Sequence, residues 1–83
     1  MEKVLVNLFV PSLDENFDIY IPKFLTVGEI TPLIAQMMEE LTQHRYMSSG
    51  QEIICSIEQN TVLHREYTLS DYSIKHGEHI LLC

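Results

Sequence analysis

Apolar and polar residues alternate twice near the start of the chain. In Lys3-Val4-Leu5-Val6-Asn7-Leu8-Phe9-Val10, the residues Val4, Val6, Leu8 and Val10 share one face. Extended backbone points successive side chains to opposite sides, so this run predicts a half-buried strand. Pro11-Ser12-Leu13-Asp14-Glu15-Asn16 interrupts it with turn-forming residues. Phe17-Asp18-Ile19-Tyr20-Ile21 then alternates again, with Phe17, Ile19 and Ile21 inward. The two runs predict a β-hairpin with a loop of moderate length.

The period then lengthens. Thr26-Val27-Gly28-Glu29 has capping-box spacing, in which Thr26 and Glu29 each satisfy an otherwise orphaned amide. Behind it Val27, Ile30, Ile34, Met37 and Leu41 recur at alternating steps of three and four, one stripe on a helix. Pro32 lacks the amide that would bond to Gly28, so the expected helix over 27–42 has an irregular first turn. Residues 42–51 form a polar connector, and Glu52 to Ile57 is the third strand, with Ile53, Cys55 and Ile57 on its core face. A turn at 58–61 leads to a short strand at Val62-Leu63. A second turn, at 76–78, introduces the last strand, Ile80-Leu81-Leu82.

A hairpin cannot bury its apolar face alone, and the helix stripe supplies the missing cover. The order strand, strand, helix, strand, short strand, strand predicts an α+β layer of β-grasp type. One mixed sheet of four to five strands carries one helix across its concave face. The length suits one core, so residues 1–83 are expected to form a single domain.

Charge narrows the partners. Five Lys and Arg against twelve Asp and Glu give a formal charge of −7. Phosphate backbones and anionic lipid are bound through Lys and Arg, so nucleic acid and membrane surfaces are both disfavoured. Met1 leads directly into charged residues and a strand pattern, which does not suggest a signal peptide. No apolar run approaches the roughly 20 residues of a membrane span, so no direct membrane insertion is expected. Cys55 and Cys83 lack metal or redox spacing and fit free thiols in a reducing cytoplasm.

Thr68-Leu69-Ser70-Asp71-Tyr72-Ser73-Ile74 closely resembles the segment that precedes the last strand of ubiquitin. Three stretches further resemble the YukD/EsaB family, ubiquitin-like proteins that accompany type VII secretion in Gram-positive bacteria. They are Ile21-Pro22-Lys23-Phe24-Leu25, then Glu52-Ile53-Ile54-Cys55 through Val62-Leu63, and Leu69 to Leu82. The resemblance implies a small cytoplasmic accessory protein that supports or regulates the secretion machine by contact with other proteins. The chain shows no diglycine at its end, so conjugation as a protein modifier is not expected. The alternatives are a ubiquitin-like protein modifier, which would need the glycine tail, or a generic β-grasp adaptor outside secretion. With Ile57 inward and Glu58 outward, the apolar patch by which ubiquitin is recognised is expected to be disrupted, leaving Leu81 and Cys83 as a smaller one.

Chemistry is sparse. Thr68 and Asp71 read as a small capping box and Tyr72 as a packed ring with a bonded hydroxyl, a structural clasp on the turn. His76-Gly77-Glu78-His79, with His64, holds ligand-type side chains, but a glycine turn is not the helical histidine pair that metal sites use, and no metal is expected. Cys55 with His44 suggests a thiol nucleophile only if Cys55 is not core, and the strand pattern places it in the core. Met37 is assigned to the helix stripe, and Glu39-Glu40 to the solvated helix face. No catalytic residue and no cofactor are expected. The candidate partner surface is the uncovered sheet face around Leu5, Phe9, Tyr20 and Leu81. The sequence leaves open a homodimer through the same face.

Overall fold

The computed structural model describes residues 2–83. The elements follow the order β1 (Lys3–Val10), β2 (Glu15–Pro22), α1 (Val27–Leu41), β3 (Ile54–Ser56), β4 (Thr61–Val62) and β5 (His79–Leu82). They build one mixed five-stranded sheet in the order β2-β1-β5-β3-β4. Strand β1 runs antiparallel to β2 and parallel to β5, while β3 is antiparallel to both β5 and β4. Parallel pairing of the first and last strands demands a crossover, and the helix lies within it.

The core fills the space between α1 and one sheet face. Val4, Val6, Leu8 and Val10 are buried there together with Ile19 and Ile21, as the alternation predicts, and Phe17 packs against them partly buried. The predicted capping box is present: Glu29 N–H donates to Thr26 Oγ1 at 3.2 Å, and Thr26 N–H donates to Glu29 Oε1 at 2.9 Å. The helix is continuous through Pro32, without the irregular first turn expected at the sequence level. Pro32 is exposed, so solvent can reach the Gly28 carbonyl that the missing amide leaves unbonded.

Two faces differ from expectation. The buried stripe of α1 is Val27, Ile30, Thr31, Ile34, Ala35 and Met38, whereas Met37 is half-buried and Leu41 is 58% exposed. A 3.6-residue turn drifts past a repeat of 3.5, so the small residues Thr31 and Ala35 rotate inward and Leu41 rotates out. The Thr31 hydroxyl stays satisfied by donating to the Val27 carbonyl at 2.6 Å. On β3 the phase is inverted. Ile54 and Ser56 are buried, while Ile53 and Ile57 are half exposed and Cys55 lies on the outer face. Register on β5 decides this: Ile54 pairs with Leu82 and Ser56 with Ile80, both core residues, and paired residues share a face. The same phase puts Val62 outward and Leu63 inward, its N–H donating to the Ile54 carbonyl at 2.8 Å.

Candidate functional site

The face of the sheet away from α1 carries a continuous apolar row. Phe9 pairs with Leu81, Leu81 with Cys55, and Cys55 with Val62, so four adjacent strands contribute one side chain each. Ile53 and Ile57 flank Cys55 at two residues on either side. Exposures of 48% for Ile53, 50% for Ile57 and 47% for Val62 make this a wet surface of large apolar side chains. Cys55, Ile57, Asn60, Val62 and Leu81 border a shallow depression in it.

The four surface residues named from sequence do not form one patch. Phe9 and Leu81 are direct neighbours in the row. Leu5 and Tyr20 pair with each other further along β1 and β2, Tyr20 being 60% exposed. Between the two pairs stands the polar pair Asn7 and Asp18, with Asn7 Nδ2 donating to Asp18 Oδ1 at 3.1 Å, and Asn16, opposite Phe9, donates its Nδ2 to Asn7 Oδ1 at 2.7 Å. Ile53, Cys55, Ile57 and Val62 were not on the predicted surface. The expected disruption of the apolar patch is therefore corrected, because Ile57 faces outward and Glu58 belongs to the turn. The Glu58 side chain folds back on β5, where its Oε1 accepts the His79 N–H at 2.9 Å and its Oε2 lies 2.6 Å from the imidazole Nδ1. These bonds from His79 hold the Glu58 carboxyl below the usual carboxylate range, so the rim of the patch is anionic at neutral pH.

Cys55 is corrected from core to the half-buried outer face. Burial pushes its thiol up, and the proximity of Cys83 adds to the effect, so it stays protonated at neutral pH. It faces away from the helix that His44 follows, which separates the two groups of the suggested nucleophile pair. His76 and His79 also serve different partners: His76 Nδ1 accepts the Leu5 N–H at 3.0 Å, and His79 engages Glu58. Among the described residues no group of three or more His, Cys, Asp or Glu is placed to hold a metal ion. Among them too, no helix is long and apolar enough to cross a membrane.

The segment 67–74 anchors the start of α1. Thr68 N–H donates to Asp71 Oδ2 at 2.9 Å while Asp71 N–H donates to Thr68 Oγ1 at 3.0 Å. The Tyr72 hydroxyl accepts the His64 N–H at 2.8 Å, and its ring meets that of Tyr67 edge-on at 5.9 Å. The orphan amides of the helix find carbonyls here, Val27 N–H donating to Tyr67 at 2.7 Å and Gly28 N–H to Arg65 at 2.9 Å. A Cβ on Gly28 would stand 3.2 Å from the Arg65 carbonyl oxygen, a close approach that favours glycine there.

No protein-family model matches the chain, and no curated protein matches it by sequence. Its backbone is similar to solved ubiquitin-like domains. The ubiquitin-like domain of the type VII secretion system protein EccD1 of Mycobacterium tuberculosis aligns at a TM-score of 0.79 and 12% identity, over 99% of this chain and 98% of that one. A ubiquitin-like domain from Arabidopsis thaliana aligns at 0.72 and 16% identity, over 100% of this chain and 78% of that one. A protomer of the ESX-3 core complex aligns at 0.71 and 17% identity, over 99% of this chain and 16% of the larger protomer. The chain has the ubiquitin-like β-grasp fold.

Proposed function

We propose that this chain is a non-catalytic ubiquitin-like accessory protein that docks, in the bacterial cytoplasm, onto a component of a type VII secretion machine in the manner of YukD/EsaB proteins. The observation that carries the reading is the apolar row Phe9–Leu81–Cys55–Val62 with Ile53 and Ile57 beside it, on a sheet face that no element among the described residues covers. Large apolar side chains grouped on an open face with a polar rim mark a protein-binding surface. The backbone likeness to EccD ubiquitin-like domains supports the choice of machine. Thr68, Asp71 and Tyr72 serve as a structural clasp in this reading, since each of their side chains accepts a backbone N–H from within the chain.

The test is affinity capture from the native bacterium with the wild-type chain and with Ile57→Glu as bait. Enrichment of a secretion ATPase or membrane component by the wild type, and its loss with Ile57→Glu, is the expected result. Equal capture by both baits sinks the role of this face, and absence of any secretion component sinks the assignment to that machine.

A further inference from the structure

The sheet ends on β2, an eight-residue strand whose far side pairs with no strand among the described residues. Backbone phase tells which groups face outward. Lys23 N–H donates to the Glu2 carbonyl at 3.2 Å, and Glu2–Lys23 continues the β1–β2 register. Hydrogen-bonded pairs recur at every second residue of an antiparallel ladder, so Ile21, Ile19 and Phe17 also turn their N–H and C=O toward β1. Across β1 the phase agrees: Asn7 N–H donates to Glu78 and the Leu5 carbonyl accepts from Gly77, so its odd residues serve β5 and its even ones β2. Asn16, Asp18 and Tyr20 therefore present their backbone donors and acceptors to solvent along the edge. The other terminal strand, β4, has only two residues and is no comparable template.

Beside this edge, between β2 and α1, runs a groove of about 190 Å³ lined by Tyr20, Pro22, Ile30, Leu33 and Met37, with Lys3 among its walls. Leu33 is 52% exposed and Tyr20 60% exposed, so two large apolar side chains stand together at the mouth of the groove.

We infer that the β2 edge takes an extended segment of a partner protein as a sixth strand. Main-chain bonds to Asn16, Asp18 and Tyr20 supply the pairing, and alternate side chains of the segment enter the groove against Leu33 and Met37. Its intervening side chains lie beside Asp18, which accepts from Asn7 through Oδ1 only, leaving Oδ2 for the partner. That carboxylate, with a formal charge of −7 on the chain, selects Lys or Arg at those positions. The occupant is thus a basic strand with apolar residues at every second place. A second copy fits poorly. The register that uses all three edge residues sets Tyr20 against Asn16 and brings the two Asp18 carboxylates opposite each other. This surface is separate from the outer-face row, and its failure leaves the docking proposal above untouched.

The probe is a capped peptide of about seven residues with alternating lysine and valine. It is titrated into the isotope-labelled full chain while amide resonances and hydrogen exchange are followed. The amides of Asn16, Asp18 and Tyr20 are expected to shift and gain protection, with Leu33 and Met37 shifting in step. N-methylation of the peptide amides that face β2, or Leu33→Glu in the chain, is expected to weaken binding at least about ten-fold, while Ile57→Glu leaves it unchanged. Leu33 is exposed, so its variant keeps the fold. Equal binding of the N-methylated peptide, shifts confined to the outer face, or no saturation by about 1 mM peptide each overturn the inference. Protection of the same amides on concentrating the chain alone overturns it too, by identifying a second copy as the occupant.

Discussion

Tyr46 donates its phenolic hydrogen to Glu52 Oε2 at 2.8 Å, both residues being buried at the end of the core. The same carboxylate accepts the Ser49 N–H at 2.7 Å and, through Oε1, the Gly50 N–H at 3.1 Å. One acidic side chain thereby organises the connector between α1 and β3. Burial pushes the Glu52 carboxyl up, but the Ser49 amide, the Tyr46 hydroxyl and the Gly50 amide outweigh it and hold the group below its ordinary range. Burial, reinforced by Glu52, raises the Tyr46 phenol in turn, so the hydroxyl remains a donor.

Tyr46→Phe removes one bond to a carboxylate and leaves its two amide donors in place, for an expected loss of about 1–3 kcal/mol in urea unfolding at pH 7. Glu52→Gln has a pH signature. A carboxyl with a depressed folded-state pKa stabilises the fold fully above its unfolded value near 4.5, and that contribution disappears as pH falls through the folded value. The wild type is therefore expected to lose stability more steeply than Glu52→Gln below pH 4.5, with the gap between them closing in acid. Parallel curves down to pH 2.5 would contradict this account.

The helix face makes a second prediction. Met38 has no exposed surface, so Met38→Ala is expected to cost about 2–5 kcal/mol through the cavity it leaves. Leu41→Glu, at a position 58% exposed, is expected to change stability by no more than about 0.5 kcal/mol. The strict stripe read from sequence gives the opposite ranking, and thermal melts of the two variants decide between them.

These two helix positions show where sequence reasoning ran out. Spacing identified α1, its cap and the hairpin, because those signals are local: Thr26–Glu29, and alternation in β1. Whether Met37 or Met38 is core depends on how the helix is rotated over the sheet, and adjacent methionines give no local preference. On β3, a short run of Ile53, Ile54, Cys55, Ser56 and Ile57 supports either phase, and the apolar count favours the wrong one. Pairing with β5 resolves it, since Leu82 and Ile80 must share the core side with Ile54 and Ser56. That single phase error hid four of the six residues of the candidate surface: Phe9 and Leu81 were legible, whereas Ile53, Cys55, Ile57 and Val62 were not. Buried Tyr46 escaped notice because a polar connector ordinarily lies in solvent, and Glu52 because the phase read for the third strand turned it outward.

The clasp yields a third test. Thr68→Ala deletes the hydroxyl that accepts the Asp71 N–H, and the expected cost is about 0.5–2 kcal/mol, the range for losing a capping side chain. Tyr72→Phe strands the His64 N–H, which is exposed and can turn to water, so its expected cost is smaller, below about 1 kcal/mol. Neither substitution is expected to alter capture of a partner once the fold is intact. A Thr68→Ala chain that melts like the wild type but no longer binds its partner would move this segment from support to recognition.

The cysteines report on the phase of β3 without any substitution. Cys83 is exposed, and Cys55 is half-buried on the outer face with its thiol pushed up by burial and by Cys83. The thiolate is the nucleophile, so iodoacetamide near neutral pH is expected to label Cys83 first and Cys55 more slowly. Labelling of Cys55 is expected to rise with pH, with a half-maximal rate above the ordinary thiol value of 9.0. It is also expected to proceed in the native state, at a rate that does not follow global unfolding as urea is added below the transition. A core Cys55 would behave otherwise, reacting only through the unfolded chain and accelerating in proportion to the unfolded fraction. Mass spectrometry of a labelling time course at two urea concentrations separates the two cases. The outward phase requires the urea-independent one, and with it an apolar outer face that includes Ile53 and Ile57.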